Sequence, residues 1–128
     1  MIDVSCAVIV HDGKVLAVQR GPETDHPFQW EFPGGKIRNN ETPEESIRRE
    51  ILEELSVEIE ISEKLLPIEY DYQIKQIRLI PFVCSIKKGD IQLTEHVALQ
   101  WILQNETETL NWSEADMKLI DTNSEFFR

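Results

Sequence analysis

Apolar and polar positions divide most of the chain into short blocks that predict β-strands. Two apolar runs, Val4 to Val10 and Val15 to Gln19, flank an Asp-Gly pair at residues 12–13, which predicts a β-hairpin. Further strands are predicted at Val57 to Ile61, Leu65 to Tyr72, Ile74 to Ile86 and Ala98 to Ile102. The first of these alternates with Glu and is expected at a sheet edge, while Pro81 indicates a bulge or an edge in the third.

Capping signals predict two helices. Thr42 suits the N-cap of the first, Pro43 its first helical position, and Glu45 completes a capping box. Ser113 followed by Asp116 resembles a second capping box near the end of the chain. A mixed sheet with helices on its faces is the economical assembly of these elements.

The first helix concentrates negative charge. At about 100° per residue, Glu50, Glu53 and Glu54 share one narrow arc beside an apolar stripe. Like charges at this spacing repel by a few tenths of a kcal/mol per pair, so a cation is expected nearby, although a solvated acidic face is the alternative. Gly34 and Gly35 stand just before the helix, where they permit positive φ and close approach to a ligand, or form a tight structural turn. Their place directly before the acidic helix favours the ligand.

Residues 35–57 match the Nudix box, in which Gly, five residues, Glu and seven residues precede Arg-Glu-apolar-x-Glu-Glu-x-Gly-apolar. The matching residues are Gly35, Glu41, Arg49, Glu50, Ile51, Glu53, Glu54 and Val57. Ordinary residue frequencies would produce such a match less than about once in a million windows. Ser56 stands where the family usually has Gly, and a left-handed residue there costs a non-glycine side chain about 1 kcal/mol.

The resemblance extends over nearly the full chain, which is similar to the MutT-type nucleoside triphosphate pyrophosphohydrolases. It is carried by Arg20 after a strand pair, by the lead-in Trp30 to Lys36, by Glu95 six residues before Trp101, and by Asp116 in the last helix. It implies an α/β fold, a Nudix-type α/β/α sandwich in a single domain, residues 1–128. The mixed sheet would carry the catalytic helix on one face, and the C-terminal helix would pack on the sheet.

The resemblance also implies hydrolysis of a nucleoside triphosphate to a nucleoside monophosphate and pyrophosphate, with Mg²⁺ or Mn²⁺ as cofactor. Hard oxygen ligands suit these ions, and the implied ligands are the Gly35 carbonyl, Glu50, Glu53, Glu54 and Glu95. Glu95 is also a candidate for the general base, on a loop that could close over the site, or is simply solvated.

Two further side chains near these ligands have alternative roles. Arg49 would orient Glu53, a role compatible with an ordinary salt bridge between residues four apart. His96, beside Glu95, could act as a base, but a loop histidine without a partner is usually exposed.

Candidate substrate-binding residues each have a structural alternative. Arg20 is a candidate to contact a phosphate or a base, and the alternative is a surface charge at the end of a strand. Phe32 and Tyr72 are candidates to stack on a base, and the alternative for both is a place in the core. Asp116 accepts hydrogen bonds from a base amine, or caps the last helix. The full candidate set is Arg20, Phe32, Gly34, Lys36, Tyr72 and Asp116. A carboxylate accepts from cytosine and from guanine, so 8-oxo-dGTP, in nucleotide-pool sanitation and DNA repair, and (d)CTP both stay open.

Composition limits the partners. Lys+Arg of 13 against Asp+Glu of 24 gives a net charge of −11, which opposes binding to nucleic-acid polymers and anionic membranes. A small phosphorylated molecule remains admissible when divalent cations bridge it to the acidic side chains. Cys6 and Cys84 lie in apolar runs and are expected to be buried thiols. We expect a soluble cytoplasmic protein, a monomer or a homodimer.

Two other functions are consistent with the box. A Nudix hydrolase of ADP-ribose or of a dinucleoside polyphosphate would share it, but such enzymes usually carry extra specificity elements, for which 128 residues leave little room. A non-catalytic nucleotide-binding module would be expected to have lost box carboxylates, and all are present here.

Overall fold

The computed structural model describes all residues 1–128. The strands are β1 (Ile2–His11), β2 (Lys14–Gln19), β3 (Trp30–Glu31), β4 (Gly34–Lys36), β5 (Glu58–Lys64), β6 (Ile68–Asp71), β7 (Gln76–Lys88) and β8 (Ala98–Leu103). The helices are α1 (Pro43–Leu55) and α2 (Glu114–Thr122), with a short 3₁₀ helix at Thr107–Thr109. Neither α-helix has the length and apolar character needed to cross a membrane.

The strands form a mixed sheet, as predicted. β1 and β7 pair in parallel at its centre, and every other pair is antiparallel. β1 turns into β2 at Asp12 and Gly13, whose φ values of 51° and 74° match the predicted hairpin turn. The main path runs β3-β2-β1-β7-β5, so β5 lies at an edge, as its alternating sequence indicated.

The two faces of the sheet carry separate cores. Ala7 and Ile9 of β1 pack with Ile51 of α1, whereas Cys6 and Val8, one residue out of phase, pack with α2. This alternation places one helix on each face and confirms the predicted sandwich. Both cysteines are buried free thiols, as expected.

Pro81 was expected to mark a bulge or an edge, and the edge is excluded because β7 is an interior strand. It lies opposite Cys6 of β1, at the point where the partner on the other side of β7 changes from β6 to β5. The Pro81 carbonyl accepts from the Leu65 backbone N–H at 3.0 Å in the connection between those two strands. The missing N–H points toward this break, so the parallel pairing with β1 loses no hydrogen bond.

Both predicted end signals of α1 are present. The Thr42 hydroxyl accepts from the Glu45 N–H at 3.1 Å, and the Glu45 carboxylate accepts from the Thr42 N–H at 2.8 Å. At the other end, Ser56 is left-handed with φ of 61°. A glycine would adopt this conformation without steric cost.

Replacing Ser56 with Gly is therefore expected to raise the free energy of unfolding by about 0.5–1 kcal/mol, because the left-handed strain disappears. Urea unfolding at constant pH measures the change. Ser85→Gly, at an exposed position within β7, is the matched control and should destabilise by about 0.5–1 kcal/mol. Equal signs for the two variants would contradict the strain at Ser56.

Candidate active site

The backbone of β4 is wedged between β1 and α1. A Cβ on Gly34 would overlap the Ser5 carbonyl of β1, and a Cβ on Gly35 would overlap the Glu50 carboxylate. Neither glycine has positive φ, so the conformational freedom that a glycine permits is not used at these two positions. The glycines are needed because the neighbouring atoms approach closely, and this contact brings the Glu50 carboxylate against the strand.

Arg49 organises the charges on α1. Its Nε and Nη2 donate to both Glu41 oxygens at 2.7 and 2.9 Å, and its Nη1 donates to Glu50 at 2.9 Å and to Glu53 at 3.3 Å. Nη2 also donates to the Lys36 carbonyl of β4 at 3.2 Å. The predicted contact with Glu53 is thus present, but the bidentate pair with Glu41 was not predicted. These bonds lower the pKa of Glu41 to about 2.

Glu54 is the most buried of the carboxylates, with 2% of its surface exposed and no partner for its Oε2. Burial, followed by the negative charges of Glu95, Glu50 and Glu31, raises its pKa to about 9. Glu53, by contrast, is half exposed. No three acidic, histidine or cysteine side chains are arranged as a closed metal-binding group.

Glu95 lies in the loop of residues 89–97, here called the Glu95 loop, which joins β7 to β8. Thr94 donates its backbone N–H to the Glu54 carbonyl at 3.2 Å and its hydroxyl to the Glu53 carbonyl at 3.0 Å. Val97 donates to the Gln19 carbonyl at 3.1 Å. The loop is therefore tied to α1 and β2 in this structure, rather than standing open as a lid.

His96 is buried, which corrects the expectation of an exposed loop histidine. Only 5% of its side chain is exposed, and its Nε2 lies 2.9 Å from Oε2 of Glu31. The other oxygen of Glu31 accepts from Arg20 Nη1 at 2.8 Å, so Arg20 is half-buried and paired rather than a free surface charge. Burial favours the neutral form of Glu31, but the bonds from His96 and Arg20 outweigh it and lower the pKa of Glu31.

Glu31 was not predicted as a site residue, although it lies within the segment from Trp30 to Lys36. The signal in the sequence is a charged residue directly between Trp30 and Phe32, of which Phe32 is buried and Trp30 partly buried. An acidic residue between aromatic neighbours is rarely buried unless it is paired.

A pocket of about 470 Å³ opens between β4, the end of β2, the β6–β7 turn and α2. All six predicted substrate-binding residues line it: Arg20, Phe32, Gly34, Lys36, Tyr72 and Asp116. It is also lined by residues that were not predicted, among them Asp25, His26, Glu31, Ile74, Lys75 and Ser113. Gly35 lies at the pocket wall and contacts Glu50, so the pocket and the acidic face of α1 meet at β4.

The pocket has an aromatic wall. Phe32 is 3% exposed and packs on Trp112 with ring centroids 4.7 Å apart, so it belongs to the core as well as to the pocket. Tyr72 is half-buried, its ring 5.4 Å from that of His26. The Tyr72 hydroxyl accepts from the Ala115 N–H at 3.0 Å, at the start of α2.

Asp116 does not form the predicted capping box. Its Oδ1 accepts from the Phe32 N–H at 2.9 Å and its Oδ2 accepts from the Ser113 hydroxyl. The Ser113 N–H instead donates to the Trp30 carbonyl at 2.8 Å, which leaves nothing for Asp116 to cap. Burial, followed by the charge of Glu31, raises the pKa of Asp116 to about 7 against the lowering effect of its hydrogen bonds.

This raised pKa predicts a pH dependence of stability. The pKa of Asp116 is higher in the folded state than in the unfolded state. Its contribution to the free energy of unfolding is therefore fully present below pH about 4 and is lost as pH rises toward 7. Asp116→Asn keeps the shape without the charge. The free energy of unfolding of this variant, minus that of the unsubstituted protein, should therefore increase between pH 4 and 8 by about 4 kcal/mol.

Chemical denaturation at several pH values measures this difference. Asp121→Asn, on the exposed face of the same helix, is the control and should change by less than about 0.5 kcal/mol over the range. If this difference in free energy of unfolding did not change with pH for Asp116→Asn, ionisation of the buried carboxyl would not destabilise the folded protein.

Comparisons with known proteins place this geometry in a family. Residues 1–122 match the model of the NUDIX domain. A CTP pyrophosphohydrolase of Escherichia coli (strain K12) is 32% identical over 121 residues, covering 94% of this chain and 90% of that protein. An 8-oxo-dGTP diphosphatase of Proteus vulgaris is 36% identical over 77 residues, covering 60% of this chain and 69% of that protein.

The solved structure of the E. coli ORF135 protein has the same architecture. It matches with a TM-score of 0.84 at 31% identity and covers 98% of this chain and 89% of that chain. The matched region includes the glycine-rich strand, the acidic helix and the Glu95 loop described above. The chain therefore belongs to the Nudix family and is a MutT-like Nudix hydrolase.

Proposed function

We propose that the protein hydrolyses a (deoxy)nucleoside triphosphate to the monophosphate and pyrophosphate. The observation that carries this proposal is the junction at β4, where a pocket with an aromatic wall meets the acidic face of α1 across Gly34, Gly35 and Lys36. A nucleoside fits the size of the pocket, and its phosphates would then extend past β4 toward the carboxylates. We also propose that residues 1–128 act as a single domain.

Mg²⁺, or Mn²⁺, is the cofactor that these residues fit. Glu54 is a buried carboxylate with an unpartnered oxygen and a pKa raised to about 9, beside Glu50 and Glu95. A cation relieves such an arrangement, and the donors are the hard oxygens that Mg²⁺ prefers. The proposed ligands are the Gly35 carbonyl, Glu50, Glu53, Glu54 and Glu95. When bound, the ion neutralises phosphate charge and lowers the pKa of water.

The side chains of this chain perform the remaining steps. Lys36 and Arg20 line the pocket as cations and would hold phosphate or base, while Arg49 keeps Glu50 and Glu53 in place. Glu95, exposed on a loop that is tied to α1, is the candidate to accept a proton from the attacking water.

The base would lie against Phe32 and Tyr72 and reach Asp116. That carboxyl already accepts from Phe32 and Ser113, and its remaining lone pairs can accept from a base amine. Both CTP-type and 8-oxo-dGTP-type substrates provide such a donor, and relatives are named for each. We propose one of these two as substrate, with nucleotide-pool sanitation as the role if it is 8-oxo-dGTP.

The proposal predicts pyrophosphate release from a panel of triphosphates that includes CTP, dCTP, 5-methyl-dCTP and 8-oxo-dGTP, in the presence of Mg²⁺. The ranking of kcat/KM names the substrate. Glu53→Gln should lower kcat by about 100-fold or more, because a carboxylate ligand is replaced by a neutral amide.

Glu44→Gln, on the exposed first turn of the same helix, is the matched control and should keep full activity. Undiminished turnover in Glu53→Gln, or in excess EDTA, would refute the proposed chemistry. Turnover of ADP-ribose or of a dinucleoside polyphosphate in preference to every triphosphate would instead redirect the substrate.

A second prediction follows from the contact at β4. Gly35→Ala forces the Glu50 carboxylate away from the strand, and a displacement of about 1 Å in such a site costs on the order of 100-fold in rate. Gly21→Ala is the control, because its added Cβ would lie 3.6 Å from Val97 Cγ1, an ordinary contact. Steady-state kinetics on both variants measures this loss, and circular dichroism checks that both are folded. Equal activities of the two variants would contradict the predicted effect of the contact between Gly35 and Glu50.

A further inference from the structure

His96 links the two halves of the site. Its buried ring is bonded through Nε2 to Oε2 of Glu31 at 2.9 Å, and Oε1 of the same carboxylate holds Arg20 at 2.8 Å. Arg20 lines the pocket, whereas His96 is the neighbour of Glu95 on the loop that faces α1. One partly buried carboxylate therefore receives a bond from each half.

The chemistry of this contact determines which ring nitrogen of His96 carries the proton. An ionised carboxylate only accepts hydrogen bonds, so Nε2 carries the proton and donates to Glu31. The other nitrogen, Nδ1, has no partner and lies 3.9 Å from Oε1 of Glu54. The imidazole thus lies between Glu31 and Glu54. Its removal would take from the loop its only side-chain bond to Glu31 and would leave that carboxylate held by Arg20 alone.

We propose that His96 is a positioning residue, which holds the Glu95 loop on Glu31 and thereby sets the places of Glu95 beside α1 and of Arg20 in the pocket. This inference rests on the proposed function, since it assigns these two places a role in turnover and in substrate binding. It differs from ordinary core packing because it depends on one N–H group and not on the volume of the ring.

Two substitutions of similar polarity distinguish a hydrogen-bonding role of His96 from a role in core packing. His96→Gln places an amide N–H near the position of Nε2 and keeps the bond to Glu31, whereas the shorter His96→Asn cannot reach it. His96→Asn should lower kcat/KM by about 10- to 100-fold, with lower kcat and higher KM, because the Glu95 loop and the carboxylate that binds Arg20 each lose a bond. His96→Gln should stay within about fivefold of the unsubstituted protein.

His96→Leu, which lacks any donor, is a second variant and should behave like His96→Asn. His11→Leu, at a side chain that is 73% exposed on the β1–β2 turn, is the control and should leave turnover unchanged. Equal losses in the Gln and Asn variants, or kinetics like those of the unsubstituted protein in both the Asn and Leu variants, would overturn the positioning role.

Mn²⁺ binding without nucleotide supplies a readout that does not depend on turnover. Electron paramagnetic resonance titration should show weaker Mn²⁺ binding in His96→Asn and His96→Leu, by about tenfold, and unchanged binding in His96→Gln. If the unsubstituted protein releases no pyrophosphate from any triphosphate, the proposed function fails. The order of Mn²⁺ affinities then still decides whether His96 positions the loop: equal affinities in all variants would overturn that role.

Discussion

The close approach of β4 to its two neighbours is the constraint on which the site depends. Gly34 allows the strand to lie on the Ser5 carbonyl, and Gly35 allows the Glu50 carboxylate to lie against the same strand from the other side. A side chain at position 34 would push β4 away from β1, and one at position 35 would push the Glu50 carboxylate of α1 away from β4. Because β4 also forms one wall of the pocket, the two glycines determine how far the pocket lies from the acidic face of α1.

Charge is the second organising element, and it is only partly balanced within the protein. Arg49 binds Glu41, Glu50 and Glu53 together, so much of the repulsion along α1 is compensated by one guanidinium. Glu54 receives no such partner, and its burial, together with the charges of neighbouring carboxylates, raises its pKa to about 9. A buried acid of this kind is costly to stability and is commonly found where function requires it. The helix thus combines one satisfied region and one region that a cation would complete.

Features set by nearby residues were predictable from the sequence, and features set by distant contacts were not. The capping box at Thr42, the Asp-Gly hairpin and the left-handed Ser56 each depend on a few neighbours, and all are present. The burial of His96 depends on Glu31, 65 residues away, and the role of Asp116 depends on the Phe32 N–H, 84 residues away. No local pattern contains these pairings, because they arise only when the sheet brings the segments together.

This difference in range also separates chemistry from selectivity. Apart from Glu95, the proposed metal ligands lie with Arg49 and the two glycines within residues 34–54, where one helix and one strand specify their geometry. The pocket takes residues from the ends of β2 and β6, from β4 and from α2, which approach one another only in the folded sheet. A substitution at Tyr72 or Asp116 therefore alters the pocket without moving any carboxylate of α1. The fold can keep one hydrolytic centre while its pocket changes, which agrees with relatives named for CTP and for 8-oxo-dGTP within one family.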